Sequence, residues 1–401
     1  MDAPLTRRRF LQGASALGAA AALGACAGGR TDAADERRPT APPAPGPVPA
    51  PPRSDATLVV VTLYGGNDAL NTVAPIQDPT YRSLRSGLAL DPVTVHDIGE
   101  GFALHPALER GKALWDDGRL AVVHGVGFGG LDRSHFHCMD VWQAGGEADV
   151  STGWLGRWLD VAGTDPLDAV AVGRSLPLLA RGERRSAAVV PAGAFDLPVD
   201  AALHELLQGQ AGADDGRSPL GDRVARTNAD LLSVAATVSP VLAGMAKANT
   251  LGARLDAVAT LMDAGIPARA YAVDLGGFDT HAAQADVHGA LLAELDTALG
   301  SFLERVADRP VTVLVYSEFG RRVAPNASDG TDHGGAGTVL LAGTVRPGHH
   351  GEPPPLDRLV EGDLLTTVDF RSVYGAVLEG VLGIDAADVL GGDAAEPLEL
   401  V

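Results

Sequence analysis

The chain has 401 residues, 46% of them apolar and 20% charged, and a formal charge of −20 from 31 basic and 51 acidic residues. That composition excludes a disordered polymer and a membrane bundle, and the acidic balance excludes nucleic acid as a partner, because phosphates need a basic surface. Two cysteines, Cys26 and Cys138, provide no disulfide framework.

The first residues read as an address. Thr6-Arg7-Arg8-Arg9-Phe10-Leu11-Gln12 precedes an alanine-rich apolar run of roughly 15 residues, the length of a signal h-region and too short for a comfortable membrane span. The paired arginines resemble a twin-arginine export signal over residues 1–25. Leu23-Gly24-Ala25-Cys26 resembles a lipobox, in which Cys26 is lipidated and becomes the first mature residue. The competing reading is an ordinary signal with a coincidental cysteine. Residues 26–56 then hold eight prolines between Pro39 and Pro52 and cannot build a core, so they read as an extended tether. The expected location is the outer face of the cytoplasmic membrane or the cell envelope, with the membrane touched by the lipid anchor only and the folded body spanning residues 57–401.

Within that body, Leu58-Val59-Val60-Val61-Thr62-Leu63-Tyr64 reads as a strand buried on both faces. It ends in Gly65-Gly66-Asn67-Asp68, where glycines allow tight backbone geometry and a carboxylate follows; a plain Asn-Asp turn is the bland alternative. Residues 104–123 read as a helix followed by a strand, which leads to Arg133-Ser134-His135. There Ser134 falls at a helix N-terminus, a place that suits either a reactive oxygen beside backbone amides or a simple N-cap. Thr152-Gly153-Trp154-Leu155-Gly156-Arg157-Trp158 reads as a surface helix or a loop at a substrate rim.

Ala268 to Leu275 forms another strand, delivering Gly276-Gly277-Phe278-Asp279-Thr280-His281, and Asp279 with His281 can converge on one ion or serve as turn residues. A helix with Leu291, Leu295, Leu299, Phe302 and Val306 as its apolar stripe leads into Val311, Val313 and Val315. Ser317, Glu318, Gly320, Arg321 and Arg322 follow that strand, then Asp332 and His333 beyond a loop. Strand, glycine-rich turn and helix thus recur, which predicts a doubly wound α/β fold: a mostly parallel sheet with helices on both faces and its chemistry at the carboxyl ends of the strands. Asp68, Ser134, Asp279, His281, Glu318, Asp332 and His333 all fall at or beyond such ends, as a shared site for one or two divalent metal ions requires.

GGNDALNT, RSHF, TGWLGR, GGFDTH, SEFGRR and GTDHG, in this order, resemble the bacterial family called domain of unknown function fifteen-hundred-and-one. The resemblance covers about residue 57 to the C-terminus, and it implies the alkaline phosphatase and sulfatase superfamily, with a two-metal site at the strand ends. By that resemblance Ser134 is the nucleophile, Asp68 and Glu318 hold the metal beside it, and Asp279, His281 and His333 hold the other. Asn67, Arg133, His135 and Arg321 are the substrate-binding positions. Phe319 departs from the pattern by standing where the superfamily has a metal-binding histidine, and the Asp279–His281 spacing is shorter than usual. No Cys/Ser-x-Pro-x-Arg sequence of the sulfatase type is present. The implied activity is metal-dependent hydrolysis of phosphate or sulfate esters, on a small anionic ester or a cell-envelope substrate. The alternative is a non-catalytic extracytoplasmic binding or assembly protein that keeps the fold.

Overall fold

Nine strands form one sheet in the computed structural model, which describes residues 55–129, 132–147, 150–195, 201–211, 219–392 and 394–401. The export signal with Arg7 to Arg9, the lipobox Cys26 and the proline run lie outside the described residues. The strands are Thr57–Tyr64 (β1), Leu120–Gly127 (β2), Ala169–Val172 (β3), Ala188–Val190 (β4), Ala270–Gly276 (β5), Val311–Ser317 (β6), Gly337–Gly343 (β7), Gly348–His350 (β8) and Val368–Asp369 (β9). Their order is β8-β2-β7-β6-β1-β5-β3-β4, with β9 also pairing with β2. Every pairing is parallel except the two made by β7, which runs antiparallel to both β2 and β6. The carboxyl ends of β1, β2, β5 and β6 therefore share one edge, and the start of β7 arrives at the same edge. The doubly wound, mostly parallel α/β architecture is as the alternation of strand and helix predicts.

Valine-rich strands occupy the centre because both faces of the sheet are covered. Val59, Val61 and Leu63 of β1 join Val313 and Val315 of β6 in one core layer, packed by Leu255 and Val258 of the helix Leu251–Asp263 and by Leu292, Leu295 and Leu299 of the helix Gln284–Arg305. The intervening residues Leu58, Val60, Leu314 and Tyr316 enter the opposite layer, where Trp142, Trp154, Trp158, Phe370 and Tyr374 pack on them. This two-residue alternation follows from the pleat. It also reassigns the TGWLGR segment: Trp154 and Trp158 lie on a core helix, Trp154–Ala162, and not on a surface helix or rim loop.

The predicted helix near residue 104 begins later, at Glu109. Ala103–Leu104 is instead the middle strand of a small antiparallel sheet with Val73–Ala74 and His96–Asp97. Pro106 accounts for the shift, since its ring disfavours helical geometry in the residue before it. No helix among the described residues is long and apolar enough to cross a membrane.

Candidate metal centre

Two glycines at the end of β1 let the strand-end loops close on one another. Gly65 adopts φ +120°, and a Cβ there would lie 2.4 Å from the backbone nitrogen of Asp279; at Gly66, with φ +75°, it would lie 2.3 Å from the Phe319 ring. Neither position accepts a side chain. The loop after β5 is thereby pressed against the loop after β1, and the segment after β6 closes the third side.

Four side chains meet there. Asp279 Oδ1 lies 2.9 Å from His281 Nε2, 3.1 Å from His333 Nε2 and 3.3 Å from His135 Nε2. His333 Nε2 is also 2.9 Å from His135 Nε2 and 2.9 Å from His281 Nε2. His135 comes from the first turn of the helix His135–Ala144, Asp279 and His281 follow β5, and His333 precedes β7. Asp279 is 49% exposed, so the group faces solvent on one side.

The outer ring nitrogens decide what this convergence means. His135 Nδ1 faces Glu318 Oε1 at 2.7 Å, His333 Nδ1 faces the backbone oxygen of Arg133 at 2.8 Å, and His281 Nδ1 faces Asp332 Oδ1 at 3.3 Å. A carbonyl or an ionised carboxylate can only accept, so each Nδ1 carries the hydrogen and donates it. With that hydrogen on Nδ1, a ring in its neutral, metal-ligating form turns the Nε2 lone pair inward. Lone pairs 2.9 Å apart with no hydrogen between them repel, and a cation among them removes the repulsion. Tetrahedral zinc places neighbouring nitrogen ligands about 3.3 Å apart, given metal–nitrogen distances of about 2.0–2.1 Å. The spacings, the nitrogen-and-carboxylate chemistry and the acceptor behind every histidine all fit a divalent transition metal. His135, Asp279 and His333 alone already satisfy the proximity that a shared ion demands.

Electrostatics prepare the same atoms. Partial burial works against ionisation of Asp279, but the Arg321 hydrogen bond and charge outweigh it and hold the carboxyl well below its usual range. The Glu318 hydrogen bond raises the His135 pKa. Asp332 is held low first by Asn326, then by His281.

Several expected roles are reassigned. Glu318 is a positioning residue and does not reach the group as a ligand: buried, it accepts from Gly65 N at 2.9 Å, from His135 at 2.7 Å and from Ser317 Oγ at 2.8 Å. Asp68 is apart from the histidines, 1% exposed and neutralised by Arg85 and by an amide hydrogen bond from Gln284. A guanidinium thus stands where the resemblance implies a second cation, and Phe319 packs its ring against His135 and His333, centroids 4.8 and 5.0 Å away.

The expected substrate contacts change as well. Arg321 is fully buried, donating to the carbonyls of Gly65, Gly66, Phe278 and Thr331 and to Asp279. Arg133 is paired with Asp363 at 2.6 Å and Glu361 at 3.5 Å. Asn67 is buried against Thr72 and His288. Ser134 is exposed, and its Oγ caps the following helix by accepting from His137 N at 3.4 Å. His135, expected at the substrate, joins the donor group instead. The motifs gave no sign of Arg85, Gln284 or His288, which lie on or directly after helices and not in the loops at the strand ends.

Asp68 and Arg85 provide a test of this division. Burial alone would raise the Asp68 pKa, yet the charge and hydrogen bond of Arg85 prevail and the carboxyl lies below its ordinary 3.8. A depressed folded-state pKa contributes stability that is present above about pH 4 and lost as pH falls through the folded value. Arg85→Met should therefore cost about 3–5 kcal/mol at neutral pH, with the deficit shrinking at about pH 3 as Asp68 takes a proton. Urea denaturation at both pH values measures this; a deficit independent of pH would refute the pairing. Metal content should be unchanged.

The site and sheet define an α/β protein whose strand ends gather a histidine-rich, metal-fitting group. The chain belongs to the family described as "Protein of unknown function (DUF1501)", whose profile matches residues 130–372. Among solved structures, similarity extends to the C-terminal periplasmic domain of EcEptC from Escherichia coli in complex with Zn, with 11% identity, a TM-score of 0.36, and coverage of 71% of this chain and 72% of that one. No curated protein matches the sequence.

Proposed function

We propose that this chain is an exported, metal-dependent hydrolase of phosphate or sulfate esters, its ion held by Asp279, His281 and His333 with His135 as a further ligand. The observation that carries this reading is the inward convergence of three Nε2 atoms and Asp279 Oδ1, each ring fixed from behind by an acceptor. A divalent ion there would neutralise an ester oxygen and polarise the bond to be broken. Asp279, kept ionised by Arg321, supplies the anionic ligand. Glu318 and the Arg133 carbonyl keep His135 and His333 in the tautomer that can ligate. Ser134, immediately before His135, is the proposed nucleophile.

Purification with native ions followed by metal analysis should give about one ion per chain, since a single group of this kind exists among the described residues. Properly folded protein without metal would sink the mechanism. Metal-loaded protein should hydrolyse an aryl phosphate ester, and Ser134→Ala should slow it on the order of a thousandfold or more. An unchanged rate would leave Ser134 as a helix cap alone. The twin-arginine motif and Cys26 support export and lipid anchoring; Cys26→Ser should release the protein from membranes.

A second reading, a non-catalytic binding or assembly protein with the ion as a clip, is favoured by the engagement of Arg133 and Arg321 in ion pairs. Metal without turnover of any ester would select it.

A further inference from the structure

Beside the histidine group, toward the helix His135–Ala144, opens a cavity of about 480 Å³. One wall is apolar: Phe136, Met139, Pro177 and Leu178. Phe136, the residue after His135, is 87% exposed, and a large ring left in water forgoes the favourable burial that apolar surface otherwise gains. The ionisable groups on the rest of the lining are Tyr64 and His135 together with the carboxylates Asp140, Asp279 and Glu318; among the described residues neither Arg nor Lys borders the space. A second anionic group on a ligand would find no counter-charge here, whereas an apolar group would find a surface.

Tyr64 adds direction. The backbone N–H of Leu179 donates to Gln143 Oε1 at 3.1 Å, which turns the Gln143 amide nitrogen toward Tyr64, where it donates to the phenol oxygen at 2.7 Å. The phenol hydrogen is therefore not used in that contact. Burial pushes the Tyr64 pKa up to about 12, so the hydrogen is retained across the physiological range.

Building on the proposed hydrolase site, we infer that this cavity is its substrate subsite, taking esters of bulky, uncharged, apolar alcohols, with the alcohol portion against Phe136 and Leu178 and the Tyr64 hydroxyl donating to the ester head. The substrate class this selects is a monoester with an aromatic or alicyclic alcohol, in preference to sugar phosphates or diphosphates.

The test uses binding rather than turnover. Zinc is first titrated into the metal-free full-length protein; benzylphosphonate and methylphosphonate are then titrated into the zinc-loaded protein by calorimetry. Benzylphosphonate should bind about tenfold tighter or more. Phe136→Ala should remove that preference while leaving methylphosphonate and zinc affinities unchanged. Because Phe136 is exposed, its removal opens no core cavity. Tyr64→Phe should weaken both phosphonates equally, by about fivefold. Equal affinities for the two phosphonates on zinc-loaded protein, or a preference that survives Phe136→Ala, would overturn the subsite while leaving the metal reading intact. Failure of the protein to bind zinc would overturn both, and the first titration separates that case from the others.

Discussion

His333→Ala is expected to abolish the tight metal binding proposed for the histidine group. His333 Nε2 is the atom in direct contact with Asp279 Oδ1 and with the Nε2 atoms of both His135 and His281. Removing it would take away a proposed ligand and leave the other three without their common neighbour. Loss of an outer hydrogen-bond partner of a metal ligand costs about 10–100-fold in affinity, so loss of this ligand should exceed about 100-fold. Glu318→Gln provides the graded comparison: the amide can still turn its oxygen to His135 Nδ1, but the negative charge behind the ring is gone, and affinity should fall within that 10–100-fold range. Competition against a chromophoric chelator measures both. Thermal unfolding gives a second reading, because zinc at about 100 times its dissociation constant should stabilise the wild type by about 2.7 kcal/mol and the variant hardly at all. Equal zinc affinity in His333→Ala and wild type would exclude the assigned donor set.

How much of this was legible from the residues depends on the kind of signal each left. β1, β2, β5 and β6 announced themselves because strands buried on both faces must be continuously apolar, and the glycines after β1 and β5 marked their ends. The antiparallel direction of β7 left no such mark: its composition is the same in either direction, and only the loop delivering His333 to the common edge fixes it. In the site, the histidines were visible as strand-end residues, yet their grouping was not. Sequence order places Glu318 and Asp68 as equivalent carboxylates, while burial separates them, Glu318 behind His135 and Asp68 against Arg85. Arg85 could not be foreseen, because an arginine just after the short helix Pro79–Leu84 reads as surface until the fold brings Asp68 onto it. Phe319 could be read as a departure, and the structure supplies its physical content: its ring packs against His135 and His333, and its presence requires Gly66.

Arg321 carries the other large effect, and it distinguishes a substrate clamp from a structural one. Its guanidinium donates to carbonyls at the end of β1 (Gly65 and Gly66), after β5 (Phe278) and before β7 (Thr331), and to the Asp279 carboxylate. Arg321→Met leaves those buried carbonyls without donors and removes the charge that holds Asp279 ionised, so it should destabilise the protein by about 3–5 kcal/mol and weaken zinc binding in the fraction that folds. Arg321→Lys restores the charge but not the planar fork; a single ammonium cannot span three loops, and most of the stability deficit should persist. Denaturant midpoints for the two variants, with zinc affinity measured alongside, resolve the roles. A variant as stable as wild type that lost only affinity for an anionic ligand would return Arg321 to the substrate. Loss of stability in both variants identifies it as the group that ties three strand ends together, which is why the histidines those ends carry can meet at one point.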